Sequence, residues 1–446
     1  MKQVKQQYER FPYPPIPSLA LPRRDQGQGL RYECAIALAE AAALPAITPH
    51  HHNGLRILVA GAGTLEALVV AQQHPQAAEI VAVDLSHRSL ARLQRRIALA
   101  RLLRGWRLPP VRLIEDDITE WQGGEFDYII ASNVLHHTAD PARTLDHLSS
   151  MLNPGGVMRI VTYAKMSRFW INQTSAWLRW HGLSADTPRL QQQVREVINQ
   201  LPHNHPIRSC FTAHAESVTT TGLVDAFFHS CEKPLSPLQW QRATESAGLQ
   251  WLGETQSALA QGKFLLELLP QTAALTAWQR LQLMDDLLEL NTSPILWFCK
   301  RGGVVDAVQD DVDESVVTAP MINTQQPHWS LPSQTYWQLG ASLRRADALL
   351  QTIGSSITPL LTALRDEVGP RVGRDDQPLP GLTMTEYPIE QLLAASQPPS
   401  LPQLGDGCIE YRNTVVPGST LSEQAQWLQL RYGHEQAQIG PLHILF

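Results

Sequence analysis

The chain has 446 residues, 43% of them hydrophobic and 17% charged, with 36 Lys and Arg against 42 Asp and Glu for a net charge of -6. That length suits two or three domains with real cores, and the apolar share argues against disorder of the whole chain. The acidic balance disfavours a nucleic-acid partner, no apolar run reaches the roughly 18 residues of a membrane span, and five scattered cysteines without a CxxC pair suit a reducing cytoplasm.

Residues 1–30 are rich in Pro and aromatics (Tyr8, Phe11, Pro12, Tyr13, Pro14, Pro15, Pro17) and predict an extended arm, packed on the main domain or serving as a lid. The Ala-rich stretch 31–44 predicts a helix. His50, His51 and His52 fall in a loop. From Leu55 the texture changes to short apolar strands alternating with helices. Strands are expected at 55–60, 79–85, 111–114, 126–131 and 157–162. Helices are expected at 65–73, 86–103 and 141–152, with Asn153–Gly156 as a turn. This rhythm means parallel βαβ units in a doubly wound sheet. Leu90, Leu93, Ile97 and Ala100 mark the inner stripe of the second helix. Arg88, Arg92, Arg95 and Arg96 read as its solvated face. Two further helices, with Trp170, Trp177 and Trp180 as core residues, are expected within a helical cap at about 166–201. Residues 202–235 read as loop-rich. A helix at 238–247, a strand at 249–253, a helix at 275–290 and a strand at 295–298 complete seven strands.

Residues 302–334 hold an acidic, Pro-containing stretch that reads as a linker. Beyond it, Leu339, Leu343, Ala346, Leu350 and Ile353 mark an amphipathic helix, a second helix is expected at about 359–368, and Pro-rich loops and the segment 388–395 follow. The organisation expected is an arm and helix (1–54), a main α/β domain (55–301), the linker, and a small, mainly helical C-terminal module (335–446).

Gly61 and Gly63 stand between the first strand and its helix, where a side-chain-free turn lets a ligand approach the backbone. Asp84 ends the second strand, 21 residues beyond Gly63, placed to accept hydrogen bonds from two ribose hydroxyls; a helix-capping role is the alternative. Asp116 or Asp117, after the third strand, could accept from an adenine amino group with Ile118 against the ring, or cap a helix. Asn133, His136 and His137 follow the fourth strand, at the edge where open α/β sheets bind ligands. His203, His205, His214 and His229, with Cys210 and Cys231, match no standard zinc spacing and read as loop or acceptor-pocket residues.

The run LVAGAGTLEA, then VAVDLS, EDDI, FDYIIASNVLHHTADP and LNPGGVMRI resembles the class I S-adenosylmethionine-dependent methyltransferases. The arm Tyr8-Glu9-Arg10-Phe11-Pro12-Tyr13-Pro14-Pro15 is similar to that of a bacterial subgroup with a YExxPYPP-like N-terminus. The resemblance covers about residues 5–300. It implies a Rossmann-like seven-stranded methyltransferase sheet with S-adenosylmethionine held by Ala60, Gly61, Gly63, Asp84, Leu85, Asp116, Asp117, Ile118 and Asn133. Where the family has an acid at the end of the first strand this chain has Val59, and where the turn has a third small residue it has Leu65.

Methyl transfer needs alignment of the acceptor and exclusion of water, with a base only where the acceptor must lose a proton. His136 and His137 are the candidate bases. Tyr13, with His137, is the candidate acceptor contact. The acceptor class expected is a small molecule or a peptide or protein side chain. A homodimer or protein partner would use the C-terminal module. The competing readings are a non-catalytic scaffold of the same fold acting through that module, and an RNA methyltransferase, against which the net charge speaks.

Overall fold

The computed structural model describes residues 1–301 apart from breaks at 18, 24–25, 45–46, 48–53, 105–106, 166–167, 202–205, 256–268 and 289–292, together with 345–356, 403–404 and 407–408. The His50–His52 run, His203, His205, the 302–334 linker, the helix expected at 359–368 and the segment 388–395 lie outside the described residues. The chain divides into two compact units.

The first unit holds residues 1–163, 229–259 and 292–325. Its centre is a seven-stranded sheet of β1 (Arg56–Ala60), β2 (Glu79–Asp84), β3 (Val111–Glu115), β4 (Phe126–Ser132), β5 (Leu152–Val161), β6 (Leu249–Glu254) and β7 (Ile295–Lys300), in the order β3-β2-β1-β4-β5-β7-β6. β1 pairs in parallel with β2 and β4, and β4 with β5. β7 runs antiparallel between β5 and β6, the one reversal in an otherwise doubly wound sheet. The inner strands are apolar on both faces: Ile57, Leu58, Val59, Ile80, Val81, Ala82, Ile129 and Ile130 are fully buried, as a parallel sheet covered on both sides requires. Helices α1 (Lys2–Arg10), α2 (Glu33–Ala41), α3 (Glu66–Gln73), α4 (His87–Arg104) and α5 (Pro141–Ser150) belong to this unit. Asp140 caps α5 by accepting from the Arg143 amide, with Pro141 in the first turn.

Three expectations are corrected. Residues 2–10 form a helix instead of extended chain: the prolines begin only at position 12, and LysGlnValLysGlnGlnTyrGluArg holds strong helix formers. Asn153–Gly156 is a bulge within β5, not a turn before it. The pairing advances from Leu152 to Val157 while β4 advances only from Phe126 to Tyr128, and Gly155 takes φ +73°. Arg96 is 0% exposed and therefore no part of a solvated face. It lies three residues from Leu93 and four from Ala100, on the apolar stripe itself.

The second unit holds 164–228, 260–291 and 326–446. It contains α6 (Phe169–Trp180), α7 (Leu190–Asn199), α8 (Pro206–Ala213) and α9 (Thr220–Phe227). Within 202–235, expected as loop-rich, residues 206–213 and 220–227 are instead two short helices, and Thr219 caps α9 by accepting from the Gly222 amide. Trp177, Leu178, Val194, Leu223, Val224 and Phe227 build the core here. The α10 helix (Pro237–Ser246) returns to the first unit, and α11 (Ala277–Leu288) belongs to the second. Asp286 on α11 pairs with Arg345, which opens a helical stretch at 345–351.

Candidate functional site

The strand order reverses direction between β1 and β4, and in open sheets the crevice outside the strand ends at such a switch is where ligands bind. Gly61–Thr64 leaves β1 at this point. Gly61 takes φ +67°, and a Cβ there would stand 2.3 Å from a Val134 methyl; both its amide and that of Ala62 donate to the Val83 carbonyl. The turn is closed by Asp84, whose Oδ2 accepts from the Gly63 amide at 2.8 Å and whose Oδ1 accepts from the Ser86 amide at 2.8 Å. The cap of α4 is supplied by Ser86, whose hydroxyl accepts from the Ser89 amide. Asp84 is thereby left to the turn rather than to the helix. Burial raises its carboxyl from 3.8 to about 6, against the pull of the Ser86 and Gly63 amides.

Ala60 is fully buried at the end of β1, and Leu85 is half-buried beside Asp84. Asp116 accepts from the Asp117 amide, and Asp117 Oδ1 accepts from the amide and hydroxyl of Thr119. One Asp117 oxygen therefore serves a local turn, and Ile118 beside it is 4% exposed. Asn133 is exposed at φ +56°, a left-handed conformation that asparagine tolerates better than most residues. Glu66 opens α3 on the other side of the switch. Burial raises its carboxyl to about 6, while a hydrogen bond with Ser132 and the charge of Arg159 act against that rise. Arg159 in turn donates to the Ser132 hydroxyl at 3.0 Å and to the Gly29 carbonyl at 3.1 Å.

His136 and His137 are both buried, in a row of rings. His136 stacks on Tyr163 at 3.8 Å between centroids, and His137 stacks on His229 at 3.7 Å. The main chain of Cys231 assigns the hydrogens of His137 and His229. His137 Nδ1 lies 2.8 Å from the Cys231 carbonyl, which can only accept, so this nitrogen carries the proton. His229 Nδ1 accepts from the Cys231 amide at 3.0 Å, so the neutral ring carries its hydrogen on Nε2, 3.0 Å from the Tyr8 hydroxyl. Among the described residues no group of three or more His, Cys, Asp and Glu is arranged to hold a metal ion.

The N-terminal segment runs along the carboxyl ends of the strands. Lys5 pairs with Glu115 at the end of β3 at 2.7 Å, and the Tyr8 carbonyl accepts from the Ser86 hydroxyl after β2. The Tyr13 carbonyl accepts from the Thr64 amide after β1, and the Pro14 carbonyl from the Thr64 hydroxyl. Tyr13, expected at an acceptor pocket, is thus brought to the glycine turn through its main chain. Tyr8, Thr64 and Arg96 are site neighbours that sequence reasoning did not assign to the site, whereas His229, expected in a loop or acceptor pocket, stacks on His137. Only Arg96 carried a usable signal, its place on the apolar stripe of α4.

Residues 58–158 match the family model described as a methyltransferase domain. The chain is similar to an uncharacterized protein of Synechococcus, 29% identical over 325 residues that cover 71% of this chain and 75% of that protein. It is also similar to an uncharacterized methyltransferase of Mycobacterium bovis, 29% identical over 113 residues, 25% of this chain and 52% of that one. Among solved structures, the protein PKMT2 of Rickettsia typhi in complex with AdoHcy aligns with a TM-score of 0.45 and 19% identity, covering 66% of this chain and 55% of that chain. The matched residues 58–158 span β1 to β5 of the seven-stranded sheet. Among the described residues no helix is long and apolar enough to cross a membrane.

Proposed function

We propose that the protein is an S-adenosylmethionine-dependent methyltransferase acting on a small molecule or on a side chain of a peptide or protein. The observation that carries this is the closed glycine turn at the β1/β4 switch, with Asp84 bonded to the Gly63 amide across 2.8 Å. It supports the reading because each Asp84 oxygen takes one main-chain amide and a carboxylate oxygen accepts more than one hydrogen bond, so each can also take a ribose hydroxyl. Gly61 and Gly63 would lie under the methionine part, Ala60 and Leu85 would border the ribose, Ile118 with Asp116 or Asp117 would flank the adenine, and Asn133 would lie beside the methionine part.

When bound, S-adenosylmethionine supplies an already activated methyl group. The chain's own part is to hold the acceptor in line and keep water away. The N-terminal segment over the strand ends serves the second task. His137, its proton held on Nδ1 by the Cys231 carbonyl, is the proposed proton acceptor where the target atom must be deprotonated. The partner class we favour is a small-molecule or peptide acceptor, in keeping with the acidic balance of the chain.

Calorimetric titration with S-adenosylmethionine and S-adenosylhomocysteine tests the reading. Micromolar binding of both is expected, and Asp84→Ala should weaken it by about tenfold or more. No binding at millimolar concentration would overturn the reading in favour of a scaffold.

A further inference from the structure

We propose that Arg96 is a positioning residue of the cofactor site: it locks the N-terminal arm onto the glycine turn, so that cofactor affinity depends on the docked arm. The proposal rests on the methyltransferase reading. Arg96 sits on α4 with no exposed surface, alongside Leu93, Ile97 and Ala100. Its guanidinium donates to the Thr64 carbonyl in the turn, and to the Ile16 and Pro17 carbonyls in the arm at 2.7 and 3.2 Å. One buried cation thus joins two segments about eighty and thirty positions away, and its partners are main-chain carbonyls. A buried charge that loses its acceptors is strongly disfavoured, so this arrangement holds the arm and the turn together.

Thr64 shows how complete the joint is. Its amide donates to the Tyr13 carbonyl at 3.2 Å, its hydroxyl to the Pro14 carbonyl at 3.0 Å, and its carbonyl accepts from Arg96. All three polar groups are committed to the arm or to Arg96. Gly63, one residue earlier, takes φ +55°, and a Cβ there would stand 2.9 Å from the Tyr13 carbonyl oxygen. The missing side chain at Gly63 therefore makes room for the arm as well as for a ligand. Because the Gly63 amide also bonds Asp84, the path from Arg96 to the proposed ribose-binding carboxylate runs through only two residues, Thr64 and Gly63. Displacing the arm releases the turn that orients Asp84.

The test uses the full chain and the variants Arg96→Met, Arg96→Lys and Thr64→Val, with three measurements. These are the affinity for S-adenosylhomocysteine, the rate of trypsin cleavage after exposed Arg10 with and without that ligand, and the thermal melt. Methionine keeps the apolar stem and removes every donor; lysine keeps the charge but lacks the fork that spans both segments. Both should weaken binding by at least about tenfold and abolish the protection that the ligand gives Arg10 in the wild type. Thr64→Val should do the same to a smaller degree, and the double variant should lose less than the two single losses combined, since both cut one joint. Wild-type affinity and protection in a cooperatively melting Arg96→Met protein would overturn the proposal. If Arg96→Met does not fold, wild-type affinity and protection in Thr64→Val overturns it instead. If the wild type does not bind the ligand, the cofactor reading fails on its own. The lock is then judged by whether Arg96→Met speeds cleavage after Arg10, and an unchanged rate overturns it.

Discussion

Affinity for S-adenosylhomocysteine should fall about tenfold from pH 7 to pH 5, with Asp84 as the titrating group. In the free protein burial raises this carboxyl from 3.8 to about 6, even though it accepts two main-chain amides. Ribose hydroxyls donate to the ionised form, so binding is favoured above the free-protein value and lost as the pH falls through it. With a titration near 6, the ionised fraction drops from about nine-tenths at pH 7 to about one-tenth at pH 5, which gives the tenfold change. The effect on stability of the free protein has the opposite sign. The folded state holds this proton more tightly than the unfolded chain, so its contribution is present below about pH 4 and is lost by about pH 6. Glu66 titrates in the same range, so two variants separate the carboxyls in calorimetric titrations across pH 5–7. Asp84→Asn should abolish the step, and Glu66→Gln should keep it. A flat profile in the wild type, or a step that survives in Asp84→Asn, would refute the reasoning.

Three other outcomes are expected. Gly63→Ala should destabilise the fold by about 1–3 kcal/mol in urea unfolding, because φ +55° is strained for alanine and the new Cβ meets the Tyr13 carbonyl oxygen at 2.9 Å; a neutral result would mean that the arm lies elsewhere. Tyr8→Phe removes the hydroxyl that meets His229 Nε2 at 3.0 Å and should cost about 0.5–1.5 kcal/mol by the same measurement. Trp177→Ala, at a side chain 1% exposed in the helical unit, should cost about 3–5 kcal/mol, read as a lower melting midpoint.

Much of the sheet was legible in the chain. β2, β3 and β4 start at the expected residues and β1 one residue late, at Arg56; in β1 and β2 the strands buried on both faces write themselves as the runs Ile57–Ala60 and Ile80–Val83. The first helix was not legible, because the prolines from position 12 onward coloured the reading of the polar residues before them. The helices α8 and α9 escaped for another reason: eight residues each give two turns, too few for a period to show against intervening loops.

The glycine turn, the carboxylate 21 residues beyond it and the strand rhythm were determined by the sequence alone, since each depends on residues near one another in the chain or on a backbone freedom only glycine has. Tertiary structure decided the rest. Tyr8 meets His229 across 221 positions, and Arg96 meets the Ile16 carbonyl across 80. Cys231 assigns the protons of two imidazoles through its peptide groups. The first of these joins two side chains far apart in the chain, and the others use main-chain carbonyls and amides, which carry no side-chain identity, so no local pattern announces them. Only folding brings these distant groups together.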